Sequence, residues 1–204
     1  MTRKISLPWT LFSIGITFIV LITIFLLTLD APIDNSFAQQ NILESMQSIP
    51  VQAQSASGLP IKLSIPKINI VASIIQVGLT KDSTMGVPKT PTDTAWYDQG
   101  PRPGDIGSAV IDGHYGWGNG ISAVFDNLSD LKPGDVIYVE DDKSQTKTFI
   151  VTNSRDFDPL ADASTVFTST DNKAHLNLIT CEGIWNKTKK SYSKRLVVFA
   201  DLKP

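Results

Sequence analysis

The chain has 204 residues, of which 42% are hydrophobic and 19% are charged, a composition typical of a globular protein rather than a disordered or fibrous one. Its formal net charge is −2, so it has no surplus of positive charge for binding phosphates, and we expect no nucleic-acid partner. The single cysteine, Cys181, excludes an internal disulfide and a zinc site built from several thiolates.

The first thirty residues predict a membrane anchor. Residues 5–29 contain no charged side chain, and as a helix they would span roughly 37 Å, more than the approximately 30 Å hydrocarbon core of a bilayer. Arg3 and Lys4 precede this segment and Asp30 follows it, so the positive-inside rule places residues 1–4 in the cytoplasm and the chain after Asp30 on the outer side of the cell membrane. A cleaved signal peptide is the alternative, although its apolar core is usually shorter.

Two further regions follow the predicted anchor. Residues 30–58 are polar and weakly patterned, which is typical of a stalk. In residues 59–204, short apolar runs rich in β-branched residues alternate with Gly, Pro, Asp and Asn, and this pattern predicts an all-β domain. We expect strands at residues 61–65, 68–77, 108–112, 136–140, 146–153, 174–180 and 196–202, and short helices at residues 123–131 and 160–167. These strands suffice for a closed barrel.

Cys181 lies at the end of a predicted strand. If this strand pairs with the next one so that Cys181 faces Arg195, then Ile179 faces Val197, and apolar pairs of this kind favour that register. The pairing predicts a guanidinium a few ångströms from the thiol, at the mouth of a loop over residues 182–194. Such a guanidinium lowers the pKa of a thiol and can hydrogen-bond a developing oxyanion.

His114 lies where an apolar strand gives way to a glycine-rich loop, a position at which catalytic side chains are often found. With ordinary pKa values of about 8.5 for cysteine and about 6.5 for histidine, an uncoupled thiolate–imidazolium pair would be about 1% populated near pH 7.5. Thiolate attack on a peptide carbonyl, with His114 protonating the leaving amine, would give an acyl-thioester.

These residues resemble the active-site set of the sortase family. The segment Leu178-Ile179-Thr180-Cys181 is followed by Arg195 and preceded by the Gly113-His114 pair, which reproduces the family's order of His, Cys and Arg. Similar segments occur at residues 95–97, 103–107, 125–128 and 131–135, so the resemblance covers residues 59–202. Asn177 departs from the family pattern, which usually has Thr at this position, and this departure bears only on the subclass.

The resemblance implies a closed eight-stranded sortase β-barrel and a membrane-bound cysteine transpeptidase of a Gram-positive type of envelope. Such enzymes cleave a Leu-Pro-x-Thr-Gly sorting signal after Thr and transfer the acyl group to an amine of a cell-wall precursor or a pilin. It implies that His114 is the general acid and base and that Arg195 holds the substrate and its oxyanion. It also implies that Thr180 positions the sorting peptide and that the backbone N–H of Glu182 is a second oxyanion donor.

Several alternatives remain open at this point. The subgroup is either the housekeeping one or one like classes D, E and F. The same three residues would serve a cysteine peptidase that gives its acyl group to water, and a silent peptide-binding barrel is a third possibility. We expect no cofactor; calcium at the acidic residues 140–142, 156 and 158 is a weaker alternative, because adjacent carboxylates in turns are usually solvated. We interpret Trp117, Trp185 and Tyr192 as a cover over the barrel, with the lining of a substrate groove as the alternative.

Overall fold

The computed structural model describes residues 57–204. The predicted cytoplasmic stub at residues 1–4, the anchor at residues 5–29 and nearly all of the stalk at residues 30–58 lie outside the described residues. In the described part of the chain, no helix is both long enough and apolar enough to cross a bilayer.

Eight strands form a closed barrel, which confirms the predicted fold class. They are β1 (Pro60–Ile65), β2 (Ile70–Val77), β3 (Thr94–Tyr97), β4 (Gly107–Gly113), β5 (Val136–Asp141), β6 (Thr146–Phe157), β7 (Ala174–Asn186) and β8 (Ser191–Leu202). Around the barrel their order is β1-β2-β3-β4-β7-β8-β6-β5, and β5 closes the ring by pairing with β1. The β2–β3 and β4–β7 pairs are parallel, and the other pairs are antiparallel.

The helices are shorter than predicted. In place of a helix at residues 123–131 there is a single 3-10 turn, Leu128–Asp130, and the helix expected at residues 160–167 is limited to α1 (Ser164–Phe167). Two other 3-10 turns cover Pro66–Ile68 and Gly118–Gly120. Apolar side chains of residues 123–131 are buried in the barrel core, where Phe125 and Leu128 are 0% exposed.

Strand β3 is missing from the sequence prediction, although its residues are in the segment that resembles sortases. Thr94, Ala95 and Trp96 are all buried, so this short strand lacks the alternation of polar and apolar residues that marks a half-exposed strand. It lies between β2, to which it is parallel, and β4. A parallel neighbour is joined by a long connection, here residues 78–93, so no hairpin signal identifies the pair.

The prediction of a loop over residues 182–194 is wrong, because most of this segment continues the β7–β8 pair. The pairing shifts register between Glu182 and Trp185 and resumes until Asn186 pairs with Ser191. Gly183 lies at this irregularity with φ 85°, a conformation that glycine adopts without steric cost. Cys181 therefore lies inside a long strand rather than at a strand end.

Side chains along β7 alternate between the barrel interior and its outer face. Leu176, Leu178 and Thr180 are at most 1% exposed and point into the interior. The largest buried side chains of this core are Leu63, Ile65, Ile111, Phe125, Ile137 and Phe149. On the outer face, Ile179 belongs to a second apolar cluster, which is covered by Val166 of α1.

Replacing Gly113 with alanine should destabilise the barrel. A Cβ atom at this position would lie 2.5 Å from Cδ2 of the fully buried Phe125, and the side chain of Val124 is also too close. Overpacking of this kind costs about 1–3 kcal/mol, so we expect the free energy of unfolding in chemical denaturation to fall by about 2 kcal/mol. Gly118→Ala is the matched control, because a Cβ at Gly118 meets nothing within 4 Å. An unchanged midpoint for Gly113→Ala would contradict this account.

Candidate active site

The three residues predicted to be catalytic line one open cleft of about 370 Å³. The loop after β4 forms one wall and contributes His114, and the β7–β8 hairpin forms the other and contributes Cys181 and Arg195. The structure therefore brings together side chains that are up to 81 positions apart in sequence, from 114 to 195.

Cys181 and Arg195 are directly opposite each other in the antiparallel β7–β8 pair, in the register predicted from the sequence. The thiol is half-buried, and this burial raises the pKa of Cys181 above its usual range. The charge of Arg195 opposes the increase, whereas the nearby carboxyl of Asp112 adds to it. The expected lowering of the thiol pKa by Arg195 is therefore outweighed by desolvation.

The guanidinium of Arg195 is held by the hairpin that carries it. Its Nη1 donates hydrogen bonds to the carbonyl oxygens of Lys194 at 3.0 Å and Tyr192 at 3.4 Å, and its Nη2 donates to Oγ of Ser191 at 3.3 Å. These carbonyl and hydroxyl oxygens orient the guanidinium without neutralising its positive charge. The charge therefore stays available to an anion in the cleft.

His114 is oriented by a backbone carbonyl from a distant part of the chain. Its Nε2 lies 2.7 Å from the carbonyl oxygen of Pro88, in the β2–β3 connection. Because a carbonyl only accepts hydrogen bonds, Nε2 carries the proton and the Nδ1 lone pair of the neutral ring is free to act as a base. The ring also packs edge-on against Trp117, with centroids 4.7 Å apart. Pro88 cannot be identified from the sequence, because a backbone acceptor leaves no residue-type signal.

Asp126 fixes the loop that carries His114. Its two carboxylate oxygens accept hydrogen bonds from the backbone N–H of Gly116 at 2.7 Å and of Ala123 at 2.9 Å. Gly116 has φ 62°, and a Cβ there would lie 2.5 Å from the hydroxyl of Tyr192. The loop can therefore approach the hairpin only because this residue is glycine.

The aromatic side chains that we interpreted as a cover over the barrel line the cleft instead. Trp117 is 37% exposed and Trp185 is 47% exposed, and both border the cleft together with Tyr192. Tyr192 makes edge-to-face contacts with Trp185 at 5.0 Å and with Tyr115 at 5.3 Å between centroids. Partly exposed, mutually packed rings beside a nucleophile form an apolar surface on which a peptide can lie.

Thr180 lies beneath the cleft rather than in it. Its side chain is 1% exposed, and its hydroxyl donates a hydrogen bond to the carbonyl oxygen of Gly113 at 2.7 Å. This contact links β7, next to Cys181, to β4, next to His114. Thr180 therefore positions the two strands that carry the site, and its role in positioning the peptide stays a prediction.

Removing the Thr180 hydroxyl should loosen this link. Thr180→Val keeps the shape of the side chain but leaves the Gly113 carbonyl without that donor, which costs about 1–3 kcal/mol for a buried group. We expect the free energy of unfolding to fall by about 1–2 kcal/mol in urea denaturation. Thr180→Ser retains the hydroxyl and serves as the control; a loss as large as that of the valine variant would show that the hydrogen bond is not responsible.

Glu182 follows Cys181 and lies opposite Lys194 in β8. Burial raises the pKa of its carboxyl, the neighbouring Asp156 carboxyl raises it further, and Lys194 opposes the change. Lys194 itself forms an ion pair with Asp156 at 2.7 Å. The role of the Glu182 backbone N–H as an oxyanion donor stays a prediction.

In the acidic segment at residues 140–142, the carboxylates of Asp141 and Asp142 accept hydrogen bonds from backbone N–H groups. Asp141 accepts hydrogen bonds from the N–H groups of Gly58, Lys143 and Gln145, and Asp142 accepts one from Leu59. Within residues 57–204 there is no group of three or more His, Cys, Asp or Glu side chains placed to hold a metal ion. Calcium binding stays an untested alternative.

Comparison with known proteins gives the family of this chain. The sortase domain family model matches residues 63–203. Sortase A from Corynebacterium diphtheriae is 25% identical with a TM-score of 0.58; the match covers 74% of this chain and 63% of that one. Sortase C-1 from Actinomyces oris is 26% identical with a TM-score of 0.55 and 71% of each chain covered. Group B Streptococcus pilus island 1 sortase C2 is 23% identical with a TM-score of 0.56, covering 71% of this chain and 73% of that one.

A search of curated proteins found no match. The family match covers well over half of the chain, and it includes the barrel and all three residues of the cleft that the sequence singled out. The fold is a closed barrel with a cysteine in its cleft, and the chain belongs to the sortase family. Members of this family are cysteine transpeptidases.

Proposed function

We propose that the chain is a membrane-anchored transpeptidase that cleaves a sorting signal of the Leu-Pro-x-Thr-Gly kind after Thr and transfers the acyl group to an amine. The observation that carries this proposal is the pairing of Cys181 with Arg195 across β7 and β8, with His114 in the same cleft. Membership of the sortase family supports the reaction type. The sorting signal itself comes from the family resemblance.

The first half-reaction forms a thioester. The Cys181 thiolate attacks the carbonyl carbon of the signal's threonine, and the oxyanion that forms accepts hydrogen bonds from Arg195, whose guanidinium is already oriented. As the C–N bond breaks, protonated His114 gives its proton to the leaving amine. The N-terminal part of the substrate stays on Cys181 as an acyl-thioester.

The second half-reaction transfers the acyl group. An incoming amine attacks the thioester, His114 accepts a proton from it at Nδ1, and the thiolate of Cys181 leaves. The proton on Nε2 stays bonded to the Pro88 carbonyl, which fixes the ring and stabilises the imidazolium that forms. We propose an amine of a cell-wall precursor or a pilin lysine as the acceptor and an extracytoplasmic location for residues 59–204.

Intact-mass spectrometry of the full chain in detergent tests this function. The protein is incubated with a Leu-Pro-x-Thr-Gly peptide library, with and without glycine or lysine amines. An acyl adduct on Cys181 that becomes an amide product when amine is added supports the transpeptidase. An adduct that only hydrolyses supports the cysteine peptidase, and an unmodified folded protein that binds the peptides supports the silent barrel.

A further inference from the structure

Asp112 lies beside the active-site cleft without lining it, and its residue type alone did not single it out. It is in β4, two residues before His114, and in the parallel β4–β7 register it is beside Ile179, two residues before Cys181. Side chains two apart on a strand share a face, so Asp112, His114 and Cys181 all belong to the outer face of the barrel. Diagonal neighbours of this kind are about 7–8 Å apart.

The surroundings of Asp112 are mostly apolar. Its neighbour on β3 is Ala95, and its neighbour on β7 is Ile179. In the described part of the chain, the charged and titratable side chains that interact with it are Arg195 of β8 and Cys181 of β7, and His114 follows two residues later, just after the end of β4. Among these, Arg195 attracts the carboxylate, and the backbone N–H of Gly113 donates to it.

Burial of the Asp112 carboxyl affects its pKa more than the interactions with Arg195 and the Gly113 N–H do. Loss of hydration raises the pKa of Asp112 to about 7, while Arg195 and the Gly113 N–H oppose the increase. The same carboxyl acts on its neighbour, because its negative charge adds to the raised pKa of Cys181. Asp112, Cys181 and Arg195 therefore form one coupled set, in which two acidic groups compete for one cation.

We propose that the carboxyl of Asp112 regulates the Cys181 nucleophile by its own protonation. When Asp112 is neutral, the charge of Arg195 is available to the thiolate and to the oxyanion of the substrate. When Asp112 is a carboxylate, it shares that charge and repels the thiolate. Asp112 acts through Arg195 and Cys181, so it is a positioning residue. The inference rests on the proposed function only in taking Cys181 as the nucleophile.

The sign of the pH effect follows from this competition. Raising the pH through 7 ionises Asp112 and adds a negative charge beside the thiol, which makes the thiolate harder to form. The reactivity of Cys181 should therefore increase less than tenfold per pH unit between about pH 6 and 8. Removing the ionisable group should restore the tenfold increase that a lone thiol gives.

Alkylation of Cys181 by iodoacetamide measures this directly, because the chain has a single cysteine. Rates are followed by mass spectrometry from pH 5.5 to 9 for wild type and Asp112→Asn. At pH 8 we expect the variant to react about three- to tenfold faster, as for a thiol pKa lower by about half to one unit. At pH 5.5 the two rates should agree, because Asp112 is neutral there.

Two controls isolate the carboxyl. Asp98→Asn removes an exposed carboxylate next to β3 at the end remote from His114 and should match wild type at every pH. Because histidine also titrates in this range, the comparison is repeated in a His114→Gln background, where Asp112→Asn should still accelerate alkylation at pH 8. An equal rate for Asp112→Asn and wild type at pH 8 overturns the proposal.

Thermal unfolding gives a second readout that needs no thiol chemistry. The folded-state pKa of Asp112 is raised above its unfolded value, so its ionisation removes stability as the pH rises from about 4 to 7. The gain in Tm of Asp112→Asn over wild type should therefore grow over this range; a gain that is the same at pH 4 and pH 8 contradicts the proposal.

Wild type alone still tests the inference if the variant does not fold. An alkylation rate that rises tenfold per pH unit from pH 6 to 8 would overturn it. Since iodoacetamide requires no sorting peptide, the failure of this inference and the failure of the proposed transpeptidase give different results.

Discussion

Cys181→Ala is expected to abolish acyl-adduct formation and transpeptidation, lowering kcat/KM by at least about 10⁴-fold, since covalent catalysis has no other thiol in this chain. Cys181→Ser should lose nearly as much, because a hydroxyl is far less acidic than a thiol and Arg195 alone cannot ionise it. The measurement is product formation from a Leu-Pro-x-Thr-Gly peptide and an amine, read by mass spectrometry.

The loss should not come from unfolding. The thiol is half-buried and lies outside the interior apolar core, so we expect Cys181→Ala to change the free energy of unfolding by less than about 1 kcal/mol. Peptide binding in the cleft should persist in this variant, because the aromatic walls and Arg195 remain. Turnover by a folded Cys181→Ala protein at the wild-type rate would eliminate both the transpeptidase and the peptidase.

Arg195→Ala is expected to lower kcat/KM by about 10²–10³-fold, the usual cost of removing one donor to a developing oxyanion. The effect has two sources, because Arg195 also opposes the raised pKa of the Cys181 thiol. Arg195→Lys keeps the charge but lacks the planar fork that three oxygen atoms of the hairpin now orient. We expect its activity to lie between those of alanine and arginine.

Lys194→Ala is the matched control for Arg195. Lys194 is the adjacent cation on β8, but its exposed ammonium pairs with Asp156 rather than with the thiol. This variant should retain activity within about twofold, since exposed ion pairs contribute little. If Arg195→Ala and Lys194→Ala had equal and small effects on turnover, Arg195 would be a surface charge and its assigned role would be wrong.

Most of the strands could be predicted from short stretches of sequence. Seven of the eight strands follow from alternating, β-branched segments bounded by turn residues, because each of these signals is contained in a few consecutive residues. The register that pairs Cys181 with Arg195 could also be predicted from the sequence, since only that alignment places Ile179 opposite Val197. Strand β3 could not be predicted in this way, because it is short and buried and has a parallel neighbour.

Some residues of the candidate site could likewise be predicted from the sequence, and others could not. Cys181, His114 and Arg195 could be singled out because their residue types and order carry a chemical meaning. The acceptor that orients His114 is the carbonyl of Pro88, and any residue type can supply such a carbonyl. The hydroxyl of Thr180, which was expected to position the peptide, donates a hydrogen bond to the Gly113 carbonyl on the adjacent strand β4, and residue type alone does not reveal this contact.

The sequence by itself determined the closed barrel and singled out Cys181, His114 and Arg195, which line one cleft, because alternation, turn chemistry and residue type are local properties. Only the tertiary structure decided that the β7–β8 pair continues past Cys181, that aromatic rings line the cleft, and that Asp112 lies beside the strand that carries Cys181. The physical reason is that burial, electrostatic coupling and parallel pairing depend on which strands become neighbours, and a carboxyl has a raised pKa only where the fold removes its water.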